Sequence, residues 1–262
     1  MKLTQMNESI CQFGFIPVRH DPDERAEMET QLLFGETYEV LEEIDRWKRI
    51  RMDYDGYEGW IDAKLDIKMF GNEVEQWRAA KKWVVPGPFA KIIRDRDRSS
   101  IIIPGGSEIY FNGTELNSFV INDETYYLAP NYNPNKQPGT IEEVAMTFFN
   151  MPYLWGGRGF FGIDCSGFTQ VVNKIIGKRI PRNAYQQVMI GTDVPFVEEA
   201  KAGDLAFFDN KEGRIVHVGI CLGRGEIIHS SGCVKIDKLD HQGIFVQSRR
   251  AYSHQLRAIK RI

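Results

Sequence analysis

The sequence predicts an α+β protein, with β-rich segments first and a helical stretch followed by strands second. Up to about residue 130, apolar and aromatic residues occur in short runs broken by turn residues, which is typical of strands. After residue 140 the apolar residues take helical spacing, and further along they return to short runs. Helices first and an antiparallel sheet second is an α+β arrangement.

The first segment, residues 13–85, has the pattern of a small β-barrel. Its runs at 36–41 and 47–52 are followed by the pair Asp55-Gly56 and by a further run that reaches Ile61. An Asp-Gly pair between such runs is a strong hairpin signal. We therefore predict a first β domain over residues 13–85.

The second segment, residues 86–135, has its own set of short runs, separated by Pro104-Gly105-Gly106 and Asn112-Gly113. We predict a second small β domain here, although no residue-by-residue repeat relates it to the first. Residues 131–139 hold three asparagines, two prolines and a glycine, which is the composition of a linker.

The third segment, residues 140–262, begins with predicted helices. Thr140 and Glu143 have the spacing of a capping box, which begins a helix that reaches about residue 149. A second helix is predicted over 165–176, where the apolar side chains share one face and Gly177 follows. A third, short helix is predicted over 183–190. Strands are predicted over 205–208, 215–222, 226–230 and 243–247.

Composition and charge favour an ordinary globular protein. The 262 residues are 42% hydrophobic and 26% charged, with a net charge of −3. We find neither the concentrated basic face of a nucleic-acid-binding protein nor the ~18 consecutive apolar residues of a membrane span. We therefore expect no nucleic-acid partner and no membrane partner.

The cellular compartment is also an expectation from the sequence. Residues 1–14 lack the apolar core of a signal peptide. The four cysteines do not suggest a disulfide framework, and a free thiol fits a reducing compartment. These observations predict a cytoplasmic protein, unless a leader preceded Met1.

The most informative motif is Asp164-Cys165-Ser166-Gly167-Phe168. Asp164 suits the N-cap of the predicted helix, which makes Cys165 the first helical residue. A thiol there lies at the positive end of the helix dipole and beside unpaired backbone N–H groups, and both favour the nucleophilic thiolate. The same N–H groups can stabilise a tetrahedral oxyanion. The motif therefore predicts a cysteine nucleophile.

Two histidines on a predicted hairpin are candidates for its partners. If residues 222–224 form the loop, Cys221 pairs with Gly225, and His217 lies opposite His229 with both rings on one face. This arrangement suits His217 as the base and His229 as the group that orients it. A two-residue loop would break this register.

Other interpretations of these residues are open. A lone cysteine at a helix start, or a lone histidine in a strand, is more often structural than catalytic. Zinc takes such ligands, but no Cys-x-x-Cys or His-x-x-x-His spacing supports a site. We expect catalysis, with no metal and no cofactor. His20, His241 and His254 have no predicted partners and are expected on the surface.

Five motifs in order along the third segment resemble those of the NlpC/P60 cysteine peptidases: residues 153–157, 164–168, 180–182, 203–205 and 217–220. The resemblance covers residues 140–262, and the two upstream segments resemble bacterial SH3 domains. It implies an α+β protein in which a papain-like catalytic domain is preceded by two small SH3-like β-barrels. The combination resembles the γ-D-glutamyl-L-diamino-acid endopeptidases that cut peptidoglycan stem peptides.

The resemblance also implies roles for individual residues. Cys165 is the nucleophile, His217 the base and His229 the third polar member. The resemblance implies that Tyr153 lies beside the cysteine and that Asp164 and Ser166 line the substrate side. It implies that Arg182 pairs with the D-Glu α-carboxylate. Tyr57 and Glu27, with Asp164, are implied to bind the free ammonium of an N-terminal L-Ala. Structural alternatives are a core aromatic for Tyr153, a helix cap for Asp164 and a solvated surface residue for Glu27.

One departure from the family pattern affects this substrate site. Many members continue Pro-Arg with Asp-Ser, whereas this chain has Asn183-Ala184. Ala184 removes a hydroxyl, so the hydrogen bonding expected at that position is in question.

The resemblance implies hydrolysis of the γ-D-glutamyl–diamino-acid bond in peptides with a free N-terminal L-Ala, as part of cell-wall recycling. The alternatives are a lytic hydrolase of intact peptidoglycan, a non-catalytic cell-wall binding protein, and another acyl-transfer reaction on the same fold. The sequence leaves open the choice between diaminopimelate and lysine, the role of the second SH3-like segment and the oligomeric state.

Overall fold

The computed structural model describes residues 8–115 and 117–262, and the chain divides into two compact units between Gln137 and Pro138. None of the helices in this described part has the length and apolarity needed to cross a bilayer.

The first unit is built mainly from antiparallel strands. Its first sheet contains β1 (Glu8–Ile10), β2 (Phe15–Arg19), β3 (Met28–Leu33), β4 (Thr37–Ile44), β5 (Trp47–Met52) and β6 (Glu58–Asp62). The strand order is β1-β4-β5-β6-β2-β3. The predicted hairpin at Asp55-Gly56 is confirmed, because β5 and β6 pair on either side of it.

A 3-10 turn at Ala63–Leu65 leads to the rest of this unit. It contains α1 (Glu73–Ala79), β7 (Trp83–Val84), β8 (Phe89–Arg94), β9 (Ser100–Pro104), β10 (Glu108–Ile109), β11 (Ser118–Ile121) and β12 (Glu124–Leu128). The second sheet has the order β11-β12-β8-β9, and β7 pairs with β10.

Each sheet of the first unit has an apolar core. The first core includes Ile16, Val18 and Ile50. The second includes Ile92 and also Phe34 and Trp77, which precede residue 86. The domain boundaries 13–85 and 86–135 stay predictions, because both sheets belong to one compact unit.

The second unit begins with helices, as predicted. They are α2 (Ile141–Met146), α3 (Cys165–Ile175) and α4 (Ala184–Gln187), and the short pair β13 (Arg158–Gly159) and β14 (Gly162–Ile163) precedes α3. The capping box at Thr140 is confirmed, since its hydroxyl accepts from the Glu143 N–H and the Glu143 carboxylate accepts from the Thr140 N–H. The first and third helices end earlier than predicted.

The sheet of the second unit is antiparallel, as predicted. Its strands are β15 (Thr192–Asp193), β16 (Leu205–Asp209), β17 (Ile215–Gly223), β18 (Glu226–Ser231), β19 (Cys233–Asp240), β20 (Gly243–Val246) and β21 (Ala251–Arg261), with a 3-10 turn at Val197–Glu199 ahead of β16. The sequence did not predict β19 or β21. In both strands, polar and charged residues interrupt the alternation of apolar and polar side chains by which a strand is predicted.

This sheet closes on itself. The order is β15-β21-β16-β17-β18-β19-β20, and β21 pairs with β20 as well as with β16. Phe208, Cys221, Ile227 and Ile244 pack together in its interior core. Helix α3 packs against β17 and β18. The closed sheet therefore has one interior face, which can hold side chains away from water.

Candidate active site

The start of α3 holds Cys165 in a buried position. The predicted N-cap is confirmed, because the Asp164 carboxylate accepts a hydrogen bond of 2.6 Å from the N–H of Gly167. The Cys165 side chain follows directly and only 7% of the residue is exposed. A side chain at Gly167 would come within 2.3 Å of the Gly157 carbonyl oxygen, so glycine permits this close packing of the helix start.

Asp164 is also the centre of a buried ion pair with Arg182. The guanidinium donates to both carboxylate oxygens, at 2.6 Å and 3.0 Å. Arg182 donates to the Ser166 hydroxyl at 2.8 Å, and the Gly156 N–H donates to Asp164 at 2.9 Å. Both partners are buried. This network fixes the backbone on either side of Cys165.

The hairpin that carries the two histidines has a different register from the predicted one. Cys221 pairs with Ile227 rather than with Gly225, and a bulge lies between Cys221 and Gly223. The turn is two residues, Arg224 and Gly225, both with positive φ, as two-residue hairpins with the sheet's twist require. The predicted register was therefore wrong.

The two imidazoles nevertheless meet. The register differs from the prediction by an even number of positions, so His217 and His229 stay on the same face and interact diagonally. The His217 Nε2 and His229 Nδ1 atoms are 2.8 Å apart. A side chain at Gly219 would come within 2.8 Å of the His229 Cβ, so glycine leaves the room that this contact needs.

A carboxylate extends this hydrogen-bonded chain. The His229 Nε2 lies 3.1 Å from Asp237 Oδ2 on β19, and the pKa of Asp237 is held below its usual range by hydrogen bonds from His229 and Lys235 that outweigh its partial burial. An ionised carboxylate only accepts, so His229 Nε2 carries a proton. A neutral His229 then accepts at Nδ1 from His217 Nε2–H, and the Nδ1 lone pair of His217 is left free to take a proton.

Both histidines are neutral at ordinary pH. Burial lowers the pKa of His217 well below its usual value, and the proximity of His229, His254 and Lys235 lowers it further, because a positive charge on His217 would be repelled by a proton on either ring and by the Lys235 ammonium. Burial also lowers the pKa of His229, although Asp237 opposes this shift.

The pKa of the Cys165 thiol is shifted upward, opposite to the direction that a position at a helix start favours. Burial and the Asp164 carboxylate raise the pKa of Cys165 to about 12. Backbone N–H groups of Val218 and Ser166 and the charge of Arg182 oppose this shift without overcoming it. The Val218 N–H contact also places the thiol beside the residue that follows His217. Nucleophilic attack would therefore require proton transfer from Cys165 to a base.

His254 is a further member of this site that the sequence placed on the surface. Its ring stacks on that of His217, with centroids 4.1 Å apart and planes 21° apart. The expectation that His20 has no partner was also wrong, since its Nδ1 lies 3.0 Å from a Glu29 carboxylate oxygen. His241 is exposed.

The remaining predicted substrate residues lie in different places. Tyr153 is half-buried, and burial and the charges of Cys165 and Asp164 raise its pKa, so it lies near the thiol. In the first unit, Tyr57 packs against the first core, and Glu27 is exposed. The substrate roles of all these residues, and of Asp164, Ser166 and Arg182, stay predictions.

Metal binding was the main chemical alternative. Across residues 8–115 and 117–262 the structure shows no group of three or more His, Cys, Asp or Glu arranged to hold a metal ion.

Sequence reasoning missed Asp237 and His254. Asp237 precedes the buried Leu239 by two residues in β19. Residues two apart in a strand point to the same face of the sheet, so this spacing could have indicated that Asp237 faces inward. His254 lies in a mostly polar strand, β21. One of its partner strands, β16, is distant in sequence, and the other, β20, is short. No local pattern indicates its contact with His217.

A buried cysteine at a helix start, with a chain of two histidines and a carboxylate, defines the class of thiol-dependent hydrolases. Comparison with known proteins narrows this class. Residues 150–252 match the model of the NlpC/P60 family, and residues 18–64 match that of the bacterial dipeptidyl-peptidase Sh3 domain.

Individual relatives agree. The chain is 32% identical over 219 residues to the gamma-D-glutamyl-L-lysine dipeptidyl-peptidase of Bacillus subtilis, across 78% of this chain and 72% of that protein. It is 26% identical over 248 residues to dipeptidyl-peptidase 6 of Lysinibacillus sphaericus, across 85% of this chain and 88% of that protein. A solved NlpC/P60 family structure from Bacillus cereus matches in fold, with a TM-score of 0.81 and 20% identity over 97% of this chain and 99% of that chain.

The chain therefore belongs to the NlpC/P60 family. The predicted fold class, a papain-like α+β domain preceded by SH3-like β structure, is confirmed.

Proposed function

We propose that this chain is a cysteine endopeptidase that hydrolyses the γ-D-glutamyl–diamino-acid bond of peptidoglycan stem peptides. The observation that carries the chemistry is the chain His217–His229–Asp237, which supplies a neutral base beside a buried thiol. The names of the two relatives support the proposed bond, because both are dipeptidyl-peptidases and one is named for the γ-D-glutamyl-L-lysine linkage.

The proposed reaction begins with proton transfer. His217 Nδ1 takes the Cys165 proton as the sulfur attacks the γ-carbonyl carbon of D-Glu. The positive charge formed on His217 is stabilised through His229 by the Asp237 carboxylate. The backbone N–H groups at the start of α3 stabilise the oxyanion of the tetrahedral intermediate.

The second half of the reaction returns the enzyme to its starting state. His217 donates its proton to the amine of the diamino acid, which leaves, and a thioester forms between Cys165 and the γ-carboxyl of D-Glu. Water then attacks the thioester while His217 accepts a proton. The C–S bond breaks, and His217 returns this proton to the Cys165 sulfur. The products are L-Ala-γ-D-Glu and the free diamino acid, and no cofactor is consumed.

We propose that the substrate is a peptide with a free N-terminal L-Ala. The residues proposed for recognition of its ammonium group are Tyr57, Glu27 and Asp164. Asp164 already accepts from Gly156, Gly167 and both terminal nitrogens of Arg182. Asp164 would therefore attract the ammonium by its negative charge rather than by accepting a further hydrogen bond from it.

Such a preference would suit the recycling of released peptides in the cytoplasm, because intact stems carry an acylated L-Ala. Mass spectrometry of products from L-Ala-γ-D-Glu-L-Lys, its diaminopimelate counterpart and the N-acetylated form of each tests this proposal. Cleavage of the free-amine peptides alone supports it. Equal cleavage of the acetylated forms would favour a lytic hydrolase, and binding without cleavage would favour a cell-wall binding protein.

The proposed cytoplasmic location has its own test. Fractionation of the native host, followed by immunodetection of the chain, should place it with the cytoplasmic proteins. Recovery from the culture medium or the cell-wall fraction would contradict the recycling role.

A further inference from the structure

The interior of the closed sheet holds an aromatic cluster around the proposed base. His254 stacks on His217, and the Phe208 ring lies 5.8 Å from His217 and 5.9 Å from His254 between ring centroids. Phe208 pairs directly with His217 across β16 and β17. The His217 ring is therefore enclosed by a planar partner and by the sheet that carries it.

The structure fixes His254 in this place. Its Nδ1 lies 2.8 Å from the Ser253 hydroxyl. The pairing of β21 shifts register on both sides of it, once against β20 between Ile244 and Phe245 and once against β16 between Phe207 and Phe208. Bulges of this kind re-aim side chains and are common beside active sites. Here they bring a residue from β21 over a ring on β17, which is not its neighbour in the sheet.

His254 also lines a groove. This groove has a volume of about 500 Å³ and is lined by His241, Gln242, Tyr252, Ser253, His254, Gln255 and Leu256. His254 is the lining residue that also contacts the His217 ring. Removal of its ring would open a path for water from the groove toward the buried imidazole.

The charges around the stacked pair are few. Lys235 and Asp237 on β19 are charged, and the titratable ring of His229 on β18 is neutral, while Cys165 on α3 lies beside the backbone of Val218. The neighbouring strands β16 and β20 present Phe208 and Ile244. Burial lowers the pKa of His254 to about 4, so its ring is uncharged at neutral pH and stacks as a neutral aromatic.

We infer that His254 is a positioning residue for His217, which holds the plane of the catalytic ring and keeps groove water away from the His217–His229 hydrogen bond. The inference rests on the proposed role of His217 as base. An imidazole rotates about χ2 within broad wells. A single hydrogen bond at Nε2 does not prevent small rotations that change the direction of the Nδ1 lone pair. A parallel ring on its face restricts this rotation and so fixes the direction of the Nδ1 lone pair.

The test measures the alkylation of Cys165 by iodoacetamide between pH 4.5 and 8.5, read as the rate of modification of the peptide that contains Cys165. This readout needs no peptide substrate, so it reports on His254 even if the proposed cleavage is not observed. The variants are His254→Ala, His254→Leu, which fills space without a planar ring, and His254→Phe, which keeps a planar ring. His241→Ala, at the exposed histidine of the same groove, is the matched control.

We expect His254→Ala and His254→Leu to slow alkylation about 10-fold at pH 7, and His254→Phe to restore it to within about 3-fold of the wild type. In His254→Ala, water would relieve the burial that lowers the pKa of His217, so this pKa should rise. The fall in alkylation rate at acidic pH should therefore begin at a higher pH than in the wild type. With an active peptide substrate, kcat should fall and KM should change less than about twofold.

Two results would overturn the inference. If His254→Phe is as slow as His254→Ala, the nitrogens of His254 and not its ring are needed. If His254→Ala and His254→Leu alkylate as fast as the wild type, the stack does not position the base. Circular dichroism of each variant shows whether it has folded, and His254→Phe remains informative if the alanine variant has not.

Discussion

Two polar clusters flank the proposed nucleophile, and they differ in charge. At the start of α3, Asp164 and Arg182 form a buried ion pair whose donors and acceptors contact one another. In the interior of the closed sheet, His217 and His229 are neutral rings, and the charged member of their hydrogen-bonded chain is Asp237. A compensated ion pair fixes geometry, whereas neutral rings can accept and return a proton. The first cluster therefore suits the positioning of the thiol, and the second suits proton transfer.

The largest effect is expected where the two clusters meet, at Cys165. Cys165→Ala should lower kcat/KM on L-Ala-γ-D-Glu-diamino-acid peptides by about 10⁴-fold or more, because the nucleophile is lost. Cys233→Ala is the matched control, since Cys233 is also a free thiol and is more accessible than Cys165. Product analysis by mass spectrometry measures both. Normal turnover by Cys165→Ala would exclude the proposed mechanism.

Breaking the ion pair should affect stability first. Arg182→Met leaves the Asp164 carboxylate buried without its partner, which typically costs about 3–5 kcal/mol. We expect this loss in the free energy of unfolding measured by urea denaturation. Arg179→Met, three residues earlier and exposed, is the control. An Arg182→Met protein as stable as the wild type would show that the pair does not hold the start of α3.

Breaking the histidine chain should affect catalysis first. Asp237→Asn keeps a hydrogen-bond acceptor for His229 but removes the charge, so we expect kcat to fall about 10- to 100-fold with less than about 1 kcal/mol lost in stability. Glu226→Gln, an exposed carboxylate on the adjacent strand that pairs with Lys238, is the matched control. Unchanged kcat in Asp237→Asn would separate Asp237 from the mechanism.

The same contrast explains what the sequence could and could not predict. The helix cap at Asp164 and the position of Cys165 depend on neighbours within a few residues, and both were predicted. The meeting of His217 and His229 was predicted from strand parity, although the register was wrong because the bulge near Cys221 was not foreseen. Asp237 and His254 depend on strands paired across long sequence separations, which local patterns do not specify.

The smallest effect concerns the pH dependence of stability. The pKa values of His217, His229 and His254 are lower in the folded chain than the usual 6.5. The unfolded chain therefore binds these protons first as the pH falls, and the free energy of unfolding should decrease from about pH 6.5 toward pH 4. Denaturation at pH 7.0, 6.0 and 5.0 measures this slope, which should be shallower in His254→Phe. A flat profile would mean that the histidines are not buried as neutral rings.

The central claim is that the base is neutral and has its free lone pair at Nδ1. Long-range ¹⁵N–¹H NMR correlation of the histidine rings at pH 7 tests it most directly, with His217→Gln and His229→Gln used to assign the signals. We predict that His217 and His229 both carry their proton on Nε2 and that neither is an imidazolium. A protonated His217, or a proton on its Nδ1, would contradict the proposed direction of proton transfer from Cys165.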